Sequence, residues 1–147
     1  MTSQFEQDLN AARAALEDSR TRLLAVARPL SDADLDRLRR GGWPVRRVLE
    51  HVVHSERLYA GLVSHLRGLP LEAQESAEPG RSSAGFLDAL AVSRRLLLSA
   101  LEGVQEEHFY ELRTVGHEEY SILSVLENVA SHDREHASQI TAILQAS

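Results

Sequence analysis

Apolar residues recur along this chain at alternating spacings of four and three, in blocks that proline and glycine cut to helix length. Phe5, Leu9, Ala12, Leu16, Ser19, Leu23, Val26 and Leu30 form the first such seam. A helix turns once per ~3.6 residues, so this spacing puts the whole series on one face. The spacing predicts a long helix over residues 3–28, stopped by Pro29, whose ring cannot continue a helical ladder. Ser31, Asp32, Ala33 and Asp34 read as a cap opening a short helical turn to about Arg39. Gly41, Gly42, Trp43 and Pro44 make a break, and Pro44 suits the start of a second helix running to about Arg67. Residues 68–82, rich in Glu, Pro, Gly and Ser, read as a loop inside one domain, because neither side alone holds a complete core.

Ser82 or Ser83 caps a third helix to about Glu102, with Phe86, Leu90, Leu97 and Leu101 facing inward. Gly103 to Gly116 is irregular, with room for one turn around Glu106–Glu111, and a fourth long helix spans about Ser121 to Leu144. No segment shows strand alternation. Four long amphipathic helices in 147 residues imply an all-α, four-helix bundle with short extra helical turns, and a single domain over 1–147.

Composition narrows the function. A net charge of −6 gives no electrostatic reason to bind nucleic acid or an anionic membrane. Cysteine is absent, so disulfides and protein thiolates are excluded, and any thiol chemistry needs a thiol cosubstrate. Residues 1–20 are polar and acidic, unlike a secretory leader, and no apolar run reaches the ~18 residues of a membrane span. A cytoplasmic protein acting on a small molecule is the expectation.

The fourth helix carries His132, Asp133, Arg134, Glu135 and His136. Residues four apart stack on one helix face, so the two imidazoles can chelate one divalent metal. They extend the line Ile122, Val125, Val129, His132, His136, Ile140 and Ile143, read here as an inward stripe. In the second helix Val48, His51, Ser55, Leu58 and Leu62 share a face, which turns His51 toward the pair. Three imidazoles leave positions open on the metal, as catalytic sites do. His54 is rotated by about 60° from His51 and is a fourth ligand, a supporting residue or a rim residue. Glu135 is the candidate general base; the competing reading puts Asp133, Arg134 and Glu135 on a solvated helix side. His65, His108 and His117 read as solvated. His132 to His136 also spells an inverted zinc-protease motif, but only eleven residues follow it, too few for the further acidic ligand such enzymes use. Trp43 either plugs the bundle end or lines the mouth of the histidine pocket.

Two segments together carry a resemblance. Trp43-Pro44-Val45-Arg46-Arg47-Val48-Leu49-Glu50-His51 resembles the tryptophan–spacer–histidine element of the DinB-like family. His132-Asp133-Arg134-Glu135-His136-Ala137-Ser138-Gln139-Ile140 resembles its second histidine element, including the Gln-Ile that follows it. Order, spacing and length agree across essentially the whole chain. The resemblance implies a metal-dependent four-helix bundle in which His51, His132 and His136 bind a divalent metal, often nickel or zinc. It also implies relatives that use low-molecular-weight thiols such as bacillithiol, mycothiol or glutathione, as transferases or as an isomerase. The chain departs from the family where an acidic residue often stands three positions after the second-helix histidine; here it is His54.

The expected activity is therefore a metal-dependent, thiol-using transferase, with a metal-dependent hydrolase on the same three ligands as one rival. The other rival is a non-catalytic bundle, a homodimer packed through apolar helix faces.

Overall fold

The computed structural model describes residues 2–70 and 82–146. Most of the predicted 68–82 loop lies outside the described residues. Helix α1 spans Gln4–Ala27 and opens on a reciprocal cap, in which Ser3 Oγ accepts from the Glu6 amide and Glu6 reaches back to the Ser3 amide. A 3₁₀ turn follows at Ala33–Asp36, held by Ser31 and Asp34 accepting from each other's amides. Helix α2 spans Val45–Leu66 after Pro44, and α3 spans Ser83–Leu101 with Ser82 Oγ accepting from the Gly85 amide. A one-turn helix, α4, covers Glu106–Phe109, and α5 spans Ile122–Gln145 behind a Ser121 cap.

The long helices form a bundle in which α1 packs along α5, α3 along α2, and α2 against α5. The α1 and α2 axes are diagonal, so residues 28–44 cross one end of the bundle. Leu30 and Leu35 close that end from within, and Trp43 packs against the same apolar cluster. The fourth side is loose: α1 and α3 touch little, and a groove of about 740 Å³ runs between them.

The sequence reading needs one addition. Arg113–Val115 and Glu118–Tyr120 pair as a short antiparallel hairpin, β1 and β2, where no strand was expected. Three-residue strands are too short to display alternation. The usable signal was local: Val115 and Glu118 pair across a two-residue turn, and Gly116 takes the positive φ of 67° that such turns require.

The core divides into two apolar clusters along the bundle. Between them lie four charged side chains, one from each long helix: Arg20, Glu56 and Asp133 are buried and Arg94 is half-buried. Arg20 Nε donates to Asp133 Oδ2 at 3.0 Å and its Nη2 to Glu56 Oε1 at 2.9 Å. Arg94 Nε donates to Glu56 Oε2 at 2.7 Å and its Nη2 to Asp133 Oδ2 at 2.8 Å. Ser93 Oγ donates to Glu56, and Arg20 Nη1 reaches the Leu90 carbonyl. Two positive and two negative groups cancel, and every carboxylate oxygen accepts at least one hydrogen bond, which is what makes burial of charge tolerable. The reading of Asp133 as a solvated residue is corrected here. Its exposure is 1%, because the buried face of α5 is centred near Asp133, about 100° from His132. Arg134 and Glu135 are exposed as that reading had them.

Among the described residues, no helix is long and apolar enough to cross a membrane.

Candidate metal centre

Helices α2 and α5 bring His51, His132 and His136 together. One ring nitrogen from each lies within 4.8 Å of the other two. The ring centroids are 6.1 Å apart for His51 and His132, 5.0 Å for His51 and His136, and 5.5 Å for His132 and His136. All three side chains are half-buried. They stand on the flank of the α2–α5 seam and not on the central inward stripe that the spacing suggested. The buried face of α2 runs through Val45, Val48, Leu49, Val52, Val53, Glu56, Ala60 and Val63, leaving His51 at its edge. Leu58, expected on the inward face with His51, is exposed; Tyr59 lies beside the site instead, its ring 5.8 Å from that of His132.

The surroundings hold the rings in specific states. Gln139 Oε1 lies 2.8 Å from His136 Nδ1. That oxygen can only accept, so Nδ1 carries the proton and Nε2 keeps the free lone pair. Trp43 meets His51 edge-on with centroids 5.5 Å apart, and the Arg47 guanidinium sits 4.3 Å above the indole. Trp43 thus serves both readings given to it, closing the bundle end and walling the site. Burial, and then the neighbouring His136, His132 and His54, push the His51 pKa below the usual imidazole range. A lowered pKa keeps the imidazole neutral, the form that binds metal. Burial, with a smaller effect from Glu118, pushes the Tyr59 phenol up, so it stays protonated at neutral pH.

The remaining candidates lie apart from this cluster. His54 is exposed and supplies no nitrogen to it, though it is near enough to influence His51. Glu135 is also exposed, and its carboxylate lies 3.5 Å from Ser131 Oγ. His65 and His117 are exposed and His108 is half-buried, all three outside the cluster.

The donor set fits a divalent metal. Three ring nitrogens converge with no carboxylate among them, and His132 Nδ1 is buried without a hydrogen-bond partner. Rings packed this closely cannot all be protonated without mutual repulsion. A shared cation replaces that repulsion with three favourable bonds.

Comparison with known proteins agrees with this architecture. The DinB superfamily model matches residues 15–140. The chain belongs to the DinB superfamily. Among solved structures, the chain is similar to TT2238, described as a four-helix bundle protein, at 27% identity and a TM-score of 0.69. That match covers 90% of this chain and 98% of the other. It is also similar to a DinB-like protein from Bacillus cereus ATCC 10987, at 19% identity and a TM-score of 0.69, covering 99% and 93% of the two chains. No curated protein matches it in sequence. In this member of the superfamily the sequence elements around Trp43–His51 and His132–Ile140 meet at one place, the flank between α2 and α5.

Three residues near the site, Glu56, Arg20 and Tyr59, were not singled out from the sequence, and Gln139 entered only as part of the second histidine element. Glu56 and Arg20 look like ordinary surface charges until the tertiary partner is known. Tyr59 falls two turns beyond His51, and that spacing was the available signal. Gln139 stands three residues after His136, the distance at which its side chain reaches the ring.

Proposed function

We propose that His51, His132 and His136 hold one divalent metal, zinc or nickel, and that the protein is a metal-dependent transferase using a low-molecular-weight thiol. The observation that carries the first part is the convergence of three ring nitrogens within 4.8 Å. When bound, the metal supplies a Lewis acid that lowers the pKa of a thiol or water placed on it. The chain's own residues do the rest. His136 is held by Gln139 with its Nε2 free, and Trp43 restricts how the His51 ring can turn. The half-buried flank leaves an approach for a small molecule, whereas a fully enclosed site would not. Tyr59, protonated beside His132, offers a hydrogen-bond donor toward a bound substrate.

A thiol cosubstrate is favoured by the absence of cysteine, since no protein thiolate competes for the metal. The test uses cobalt in place of the native metal. Adding bacillithiol, mycothiol, glutathione or coenzyme A in turn should produce a sulfur-to-cobalt charge-transfer band with one of them, followed by conjugation to an electrophile. His132→Ala should show neither. No spectral change with any thiol, together with metal-dependent cleavage of a simple ester, would replace the transferase by a hydrolase. Silence in both assays and no retained metal would leave a non-catalytic bundle, and its oligomeric state would then be the next measurement.

A further inference from the structure

The site meets the buried charge cluster at a small cavity. It measures about 10 Å³ and is lined by Val52, Ser55, Glu56, Tyr59, Val129, His132 and Asp133. That is about the space one water requires. One wall is His132, whose Nδ1 is closed off from solvent and makes no hydrogen bond to the protein. Glu56 and Asp133 of the cluster line the same cavity, and their acceptor capacity can be counted. Each carboxylate oxygen takes about two hydrogen bonds. Glu56 Oε1 receives Arg20 and Ser93, and Asp133 Oδ2 receives Arg20 and Arg94, so both are filled. Glu56 Oε2 receives only Arg94 Nε, and Asp133 Oδ1 only Arg20 Nη2 at 3.3 Å. One acceptor site remains on each. Ser55 lines the same cavity.

We propose that one water in this cavity accepts the His132 Nδ1 proton and donates to Glu56 or Asp133, fixing His132 so that Nε2 is its metal-binding atom. Ser55, Glu56 and Asp133 are then positioning residues, acting on the metal through His132. The requirement is general: a ligating histidine donates its other ring N–H to a carboxylate, carbonyl or water, which sets the tautomer and raises the basicity of the ligating nitrogen. His136 meets it through Gln139 and His132 through the cavity water. The choice of Nε2 also follows from access, because a metal with open positions must face solvent and Nδ1 does not. The four-charge cluster thereby joins a staple between four helices to the orientation of one ligand.

This inference rests on the metal-site reading, and its first test is independent of metal. In the metal-free wild-type protein above the imidazole pKa, long-range proton–nitrogen correlation should show His132 with its proton on Nδ1. A proton on Nε2, or zinc later found on Nδ1, overturns the proposal. Filling the cavity is the second test. Val129→Ile adds one methyl, and Ser55→Val is an alternative if that variant does not fold. Either should mix the two tautomers at His132 and leave His136 unchanged. Zinc affinity, measured against a chromophoric chelator, should fall roughly ten- to a hundredfold. An unchanged tautomer and affinity in a folded, cavity-filled variant would remove the water from the account. A protein with the expected His132 tautomer that binds no zinc would overturn the metal site alone and leave the water clamp standing.

Discussion

Replacing Arg20 by Met tests whether the buried cluster behaves as its geometry requires. Arg20 is 7% exposed and makes four hydrogen bonds: two to Asp133, one to Glu56 and one to the Leu90 carbonyl. Methionine keeps much of the aliphatic volume and removes the charge, so cavity formation contributes little. What remains is two carboxylates, at 2% and 1% exposure, with Arg94 as their one cationic partner in the cluster. Removing one partner of a buried ion pair costs about 3–5 kcal/mol, because the other is left in a medium that cannot solvate it. Against a total stability of about 5–15 kcal/mol that is at least a fifth. For a chain of this size the midpoint temperature should drop by roughly 6–20 °C. Urea denaturation followed by circular dichroism measures the free-energy loss, and a thermal melt measures the midpoint. The quadruple variant Arg20→Met, Glu56→Leu, Arg94→Met, Asp133→Leu should recover the loss, since apolar replacement of a complete buried network is neutral or stabilising. It should still bind metal more weakly than wild type, which separates the cluster's two roles. A single Arg20→Met variant within about 1 kcal/mol of wild type would refute the reasoning, because exposed pairs behave that way and buried ones do not.

Three further expectations follow from the site. His132→Ala or His136→Ala should abolish stoichiometric Zn²⁺ or Ni²⁺ binding, with His51→Ala nearly as severe and His65→Ala without effect; isothermal titration checks all four. His54→Asp, which restores the acidic residue often found at this position in the family, should keep metal affinity within about tenfold; complete loss there, with a harmless His51→Ala, would transfer the ligand role to His54. The metal-free protein should lose stability as pH falls from the ordinary imidazole value near ~6.5, because the His51 pKa is lowered in the fold and the unfolded chain takes up its proton first. Above that range this group contributes no further pH dependence, and His51→Gln should flatten the acid limb of a stability–pH curve.

How much of this was legible beforehand depended on whether the signal was local. The boundaries of the long helices came out within a residue or two because Ser3, Pro29, Pro44, Ser82 and Ser121 act on their immediate neighbours through caps and fixed φ angles. The hairpin escaped notice because three-residue strands carry no period, only Gly116 at its turn. The His132 and His136 pair was visible because four residues make one turn, and His51 because its helical spacing from Val48 and Ser55, and then the family element, placed it on the face toward the pair. Their depth was not visible. Periodicity says which residues share a face, but the centre of the buried face is decided by which helices pack on it. In α2 and α5 those contacts shifted the centre toward Glu56 and Asp133 and left the histidines at the rim. Charge gave the most misleading local signal. Arg20, Glu56, Arg94 and Asp133 are as polar as any residues on the surface. Each becomes tolerable inside only when the other three arrive from separate helices, up to 113 residues away in the chain. Propensity and pattern act over one or two turns, whereas neutralising a buried charge is a property of the assembled bundle.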